Sequence, residues 1–375
     1  MIYLNNAATS YPKPDIVINS INNALNALPS GQFRSGGILS DDDLFSECRK
    51  KLGLVLGIKD ADRIFFSSGS TEGLNQILFG LGFRADEYMT TATEHNSVLR
   101  PLFNMGSGEP VIISCDENGI VSPENIRKSL NQNIKALVIN HCSNVTGAVQ
   151  DMEEIGRIAK EYGLRLILDC SQSAGCMEIR IDDWNVSACA FTGHKSLMGV
   201  QGTGGFYVKK GIELKPLTYG GTGRDSRVIK YEGAYEYETG TRNAPGIAGL
   251  ASALDFLLET GIDIIEKKER ELTEFFVSEI KSIPGVRIYG EEIEKRGPVV
   301  SVGISGVKPS DAAYILQNGY GIVTRAGLQC APLIHKYIGS GEDGVLRLSF
   351  SYFTSKEELE AAIDGIKDIA MSAEG

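Results

Sequence analysis

Leu166-Ile167-Leu168-Asp169-Cys170-Ser171-Gln172 carries an apolar, strand-like run into a carboxylate. Downstream, Thr192-Gly193-His194-Lys195 precedes a Gly-rich segment from Gly199 to Gly205 and the strand-like Phe206-Tyr207-Val208. An Asp at a strand end is commonly a turn or cap residue, and most lysines are solvated surface charges. Either residue alone therefore carries little information. The ordered set is more specific, because it places a fixed carboxylate and an amine on neighbouring strands of an α/β sheet. Ligands in such open sheets bind beyond the carboxyl ends of the strands.

Outward from that stretch, strand-like and helix-like segments alternate, the pattern of a largely parallel sheet covered by helices. Strands are expected at 63–67, 88–92, 111–115, 136–140 and 164–169. Helices are expected at 71–81 and 152–162, the latter with Ile155, Ile158 and Ala159 at helical spacing. A long amphipathic segment from Pro245 through Leu258 and Ile262 to Ile283 leads to a smaller α+β unit. Its strands are expected at 286–289, 299–304, 321–324 and 345–350. A last helix runs from Lys356 to Ile369, with Ser355 as N-cap and Glu357, Glu358 and Glu360 in its first turns. The expected division is a large domain over 15–255 and a small domain over 1–14 and 256–375.

Ser67-Ser68-Gly69-Ser70-Thr71-Glu72-Gly73 joins a strand to a helix. Free N–H groups at a helix start, beside small hydroxyl residues, suit an anion such as a phosphate, although an ordinary cap has the same composition.

The 375 residues exceed one ordinary core, and 42% hydrophobic with 23% charged residues is normal for a globular protein. A net charge of −11 argues against a nucleic-acid partner. No apolar run is as long as a membrane span, and the first residues lack the pattern of a signal peptide. Seven cysteines without regular spacing read as reduced thiols, and four dispersed histidines suggest no metal site. A cytoplasmic location is expected.

With these motifs in view, the chain resembles the class V aminotransferases, fold-type I enzymes dependent on pyridoxal 5'-phosphate (PLP), and most closely the group II cysteine desulfurases and selenocysteine lyases. The likeness runs from Tyr3-Leu4-Asn5-Asn6-Ala7-Ala8-Thr9 to the last helix. It implies a large domain with a mostly parallel seven-stranded sheet and a small α+β C-terminal domain. It also implies that Lys195 holds the cofactor covalently, that Asp169 keeps the pyridine nitrogen protonated and that Gln172 donates to the ring's phenolic oxygen. By the same resemblance Gly69, Ser70 and Thr71 bind the phosphate, Thr192 and His194 brace it, and His95 lies on the ring and relays protons. Asn144, in Ser143-Asn144-Val145-Thr146-Gly147, would lie near cofactor and substrate carboxylate. Thr241, in Glu238-Thr239-Gly240-Thr241, would reach the phosphate of a second copy, which implies a homodimer with shared active sites.

The segment Arg325-Ala326-Gly327-Leu328-Gln329-Cys330-Ala331-Pro332 is similar to the Arg-x-Gly-x-x-Cys-Ala stretch of group II desulfurases. By that likeness Cys330 is the nucleophile that takes sulfur from L-cysteine, or selenium from L-selenocysteine. Arg347, an arginine inside an apolar strand, would clamp the substrate carboxylate with help from Arg325. The other cysteines read as small buried hydrophobes, except that Cys170 and Cys176 flank the cofactor strand. Three positions depart from the family pattern: Asn5 replaces a common Asp, Gln329 stands where a histidine often precedes the cysteine, and Phe353 replaces a common Asn. The short stretch from Cys330 to Arg347 implies a held loop and sulfur transfer to a docked acceptor protein. His335 is near enough in sequence to assist Cys330. A PLP aminotransferase and a cysteine-conjugate β-lyase stand as alternatives, and both make Cys330 a packing residue.

Overall fold

The computed structural model describes residues 1–27, 42–222, 227–230 and 232–374. A short first strand, β1 (Ile2–Tyr3), precedes seven strands that form one sheet. These are β2 (Ile64–Ser67), β3 (Tyr88–Thr91), β4 (Val111–Ile113), β5 (Ala136–Asn140), β6 (Arg165–Asp169), β7 (Ala188–Thr192) and β8 (Gly204–Val208). Their spatial order is β2-β8-β7-β6-β5-β3-β4, parallel except for β8, which runs against both neighbours. This is the mostly parallel seven-stranded sheet expected from the sequence.

Every residue of β5, β7 and β8 is buried, because helices cover both faces. Alternate side chains serve different cores. Leu137, Ile139, Leu166, Leu168 and Phe191 pack on one face, and Val138, Ile167, Ala190 and Phe206 on the other. Helix Met152–Glu161 shows how closely the layers approach. Asp151 caps it by accepting from the Glu154 N–H, and a Cβ added at Gly156 would fall 2.1 Å from the carbonyl oxygen of Trp184. Only glycine fits there.

Chain direction across the sheet reverses at β3. From there β4 lies to one side, while β5, β6 and β7 build outward on the other. Residues after β3, β5, β6 and β7 therefore gather beside this switch point at the carboxyl edge.

The C-terminal strands are β9 (Val286–Tyr289), β10 (Val299–Ile304), β11 (Ile322–Val323), β12 (Arg325–Gly327) and β13 (Val345–Ser349). Four of them form an antiparallel sheet in the order β12-β13-β10-β9, while β11 pairs with β1. A separate core of Leu4, Phe276, Val300, Leu316, Leu348 and Ile366 holds helices Ile262–Lys281, Pro309–Tyr320 and Lys356–Glu374 against this sheet. Ser355 and Glu358 cap the last helix reciprocally, each side chain accepting from the other's N–H.

Two details differ from the sequence reading. The segment 245–283 is not continuous. It divides into helices Ala244–Thr260 and Ile262–Lys281 at Gly261, whose φ of +90° lies outside the range open to most side chains. The strand expected at 321–324 ends at Val323, and Arg325 lies on a further strand, β12, paired with β13.

Candidate active site

Asp169 ends β6 and is buried, its Oδ1 accepting from both the N–H (2.9 Å) and the hydroxyl of Ser171. Those donors hold the carboxylate in one orientation. Lys195 follows β7 in a turn locked from the far N-terminus, where Ser10 donates from its N–H and hydroxyl to the carbonyls of His194 and Lys195. The Lys13 ammonium adds a 2.9 Å bond to the same His194 carbonyl. Burial lowers the Lys195 amine to about 8; Asp169 opposes the shift, and the charges of Arg347 and Arg325 add to it.

His95 follows β3 and caps helix Asn96–Phe103, its Nδ1 accepting from the Ser97 N–H at 3.0 Å. Burial, reinforced by Lys195, lowers its pKa to about 4, so the ring is neutral at physiological pH. Since Nδ1 accepts a hydrogen bond, the proton sits on Nε2. Helix Ser70–Gly80 starts at Gly69 with no side-chain cap, which leaves its first N–H groups open to an anion. A Cβ at Gly204 would lie 2.6 Å from the Cα of Gly69, so β8 holds this helix start by backbone contact.

A cavity of about 320 Å³ collects Gly69, Ser70, Thr71, His95, Asn144, Gln172, Thr192, His194, Lys195, Arg325 and Arg347. A small adjoining space brings in Asp169. Thr241 is exposed and does not line this chain's cavity.

Arg347 is 1% exposed, donating 2.9 Å to the carbonyl of Asn144 and 3.1 Å to Oδ1 of Asn5. Its Nε has no partner, and among the described residues no carboxylate pairs with it. In the β12–β13 register Arg325 sits directly opposite Arg347. Like charges so placed repel. Burial, then Arg325, lowers the Arg347 guanidinium to about 9.

Arg325 also donates to Sγ of Cys330 at 3.2 Å. The loop that carries Cys330 is tied down. Asn144 donates to the carbonyl of Gln329 at 2.6 Å, and the Asn96 N–H donates to that of Cys330 at 2.7 Å. Gln329 (φ +52°) and Cys330 (φ +60°) both adopt the left-handed conformation, which side chains seldom enter without such restraint. The Gln329 amide donates back to the carbonyls of Arg325 and Gly327, filling the space inside the loop. His335 braces the same loop. Its two ring nitrogens are taken up by Ser340 Oγ (2.6 Å) and the carbonyl of Leu328 (3.0 Å), which leaves neither for a proton of Cys330. Cys170 and Cys176 are buried, and burial drives both thiols well above their ordinary range.

Sequence reasoning passed over Ser171, Ser10 and Lys13. Only Ser171 left a signal, a hydroxyl two residues after a strand-end Asp.

A family model described as aminotransferase class-V matches residues 2–362. The chain belongs to that family. A probable cysteine desulfurase from Methanothermobacter thermautotrophicus is 30% identical to it over 98% of this chain and 94% of the relative. A cysteine desulfurase from Haloferax volcanii is 26% identical over 98% of this chain and 88% of its own length. The apo structure of a cysteine desulfurase from Thermococcus onnurineus NA1 matches with a TM-score of 0.90 and 29% identity, covering 99% of this chain and 95% of that one. The fold-type I architecture follows from that match, and membership of the family makes the chain a PLP-dependent enzyme. The residues present fit the cofactor: an uncapped helix start suits its phosphate, and a buried, oriented carboxylate and a lysine of lowered pKa suit its ring. Among the described residues no helix is long and apolar enough to cross a membrane.

Proposed function

We propose that this chain is a cysteine desulfurase that converts L-cysteine to L-alanine and receives the sulfur on Cys330 as a persulfide. The observation that carries the proposal is the geometry of Arg325. Its guanidinium lies 3.2 Å from the Cys330 sulfur and borders the same cavity as Lys195. That contact ties the sulfur to a residue on the wall of the cavity. An aminotransferase has no use for a thiol held there.

PLP, when bound, supplies the electron sink for the substrate's Cα. Lys195 holds the cofactor and moves the Cα proton, a task suited to an amine lowered to about 8. Asp169, fixed by Ser171, would keep the pyridine nitrogen protonated. Gly69, Ser70, Thr71, Thr192 and His194 would hold the phosphate, and Gln172, Asn144 and His95 would hold the ring. Arg347 and Arg325 bind the substrate carboxylate, whose negative charge relieves the repulsion between them. The Cys330 thiolate attacks the substrate sulfur. The S–S bond forms as the C–S bond breaks, and the electron pair of that bond stays on carbon, which is protonated to give alanine.

L-Selenocysteine presents the same groups, and the same residues serve a selenocysteine lyase. In this reading the enzyme is a cytoplasmic homodimer, Thr241 of each copy reaching the other's phosphate site. Residues 15–255 form the large domain, and residues 1–14 with 256–375 the small one. The tied loop of Cys330 favours sulfur transfer to a docked acceptor protein.

The test is turnover of L-cysteine and L-selenocysteine by wild type and Cys330→Ala, with alanine quantified and protein persulfide read by mass spectrometry. Alanine with a persulfide on Cys330, both lost in the variant with cysteine, is the expected result. Undiminished turnover in the variant, or pyruvate as the sole product, would hand the reaction to a lyase or aminotransferase.

A further inference from the structure

A second cleft of about 320 Å³ shares no lining residue with the Lys195 cavity. Helix Ile262–Lys281 forms one side and the segment Lys295–Pro298 another, with Val149 and Met177 between them. Its volume falls within the range of small-molecule sites, about 300–1,000 Å³.

Glu269 distinguishes this cleft from a surface groove. Its side chain lines the cleft, the residue is 3% exposed, and Oε2 has no hydrogen-bond partner. The Tyr352 N–H donates to this carboxyl, so Oε2 alone is unmatched; a buried acceptor without a donor is an unfavourable arrangement that a ligand donor relieves. Burial raises its pKa to about 8, so near neutral pH the acid is largely protonated, and a positive partner would favour its charged form. Among the described residues no ion pair joins Glu269 to a cation, and the exposed Lys295 lines the cleft without pairing to it. Five glutamates and three basic residues line the cleft. Of the basic residues, Arg296 is committed to the carbonyls of Thr146 and Gly290, and Arg270 lies 3.8 Å from Glu274. Val149, Met177, Val277 and Ile293 add apolar surface beside the acid.

We infer that this cleft binds a small molecule with a guanidinium or ammonium head on a short apolar stem, the head donating to Glu269. The acidic excess selects the cation, and the apolar wall selects the stem.

Isothermal titration calorimetry on the full-length, cofactor-loaded enzyme tests this without reference to turnover. The probes are n-propylguanidinium, n-butyrate and n-propanol; a guanidinium is chosen because a primary amine would react with the cofactor's carbonyl. Saturable binding of n-propylguanidinium alone is expected, weakened at least tenfold in Glu269→Gln. If that variant loses its fold by circular dichroism, Val277→Trp, which fills the cleft and retains the acid, must abolish binding instead. Equal binding of butyrate or propanol, an unchanged affinity in folded Glu269→Gln, or no saturable binding to wild type would overturn the assignment.

Discussion

Arg347 and Arg325 face each other across two strands with no carboxylate among the described residues paired to either, and Asn5 rather than an acid accepts from Arg347. An incoming anion would offset the repulsion between them. Loss of one charge-assisted contact costs about 1.5–3 kcal/mol. Arg347→Lys keeps the charge and loses the fork, so kcat/KM for cysteine should fall about 10- to 100-fold, mostly through KM. Steady-state kinetics checks this, and an unchanged KM refutes the carboxylate clamp. Lys195 gives a prediction in pH. Below about 8 its amine is protonated and cannot accept the Cα proton; above that value it is free. Exchange of the Cα hydrogen of S-methylcysteine, which has no ionising thiol, should rise with pH to a plateau above about 8. A flat profile from pH 6 to 10 would remove Lys195 from the role of base. At this scale Lys195 and Asp169 were legible because each sits in a local motif. The Ser171 clamp and the opposition of the two arginines were not, since hydroxyl rotamers and strand register are not written in spacing.

Between β8 and the helix Ser70–Gly80 the decisive contact is backbone against backbone. At Gly204 a methyl group would meet the Gly69 Cα at 2.6 Å and the Phe191 carbonyl oxygen at 2.7 Å. Overpacking of this kind costs about 1–3 kcal/mol. Gly204→Ala should therefore lower Tm by several degrees and weaken PLP binding at least tenfold, because the displaced element is the uncapped helix start proposed to hold the phosphate. Equilibrium dialysis with PLP, beside a melting curve, separates the two effects. Normal affinity in a folded variant would mean that the helix start does not hold the phosphate. Strand positions were readable from apolar runs, whereas the break at Gly261 was obscured by an amphipathic pattern continuing on either side of it. A positive-φ glycine can interrupt a helix without altering its hydrophobic period.

At the scale of the whole molecule, His141 follows β5 directly and joins it to β6 through its N–H bond to the Asp169 carbonyl. It is buried beside Trp184, its Nδ1 has no partner, and burial, then the charge of Lys295, lowers its pKa to about 3. An unfolded imidazole takes a proton near 6.5. Protons therefore favour the unfolded chain between those values, and stability complete above pH 6.5 is lost as the pH falls toward 3. His141→Phe, an apolar ring of similar size, should lose less of its Tm than wild type between pH 6.5 and 4 in calorimetric melts. Parallel curves would assign the acid loss to other groups. By itself, the sequence determined the α/β class, from hydrophobic periods that act over a few residues, and, through the short motifs that carry the resemblance, the family, its seven-stranded sheet and the cofactor. Only the tertiary structure decided that Arg325 faces Arg347, that Gln329 plugs the loop of Cys330, and that Glu269 lies unpaired in a second cleft. Those arrangements join residues distant in the chain, and their energies arise from register and desolvation, which no local pattern encodes.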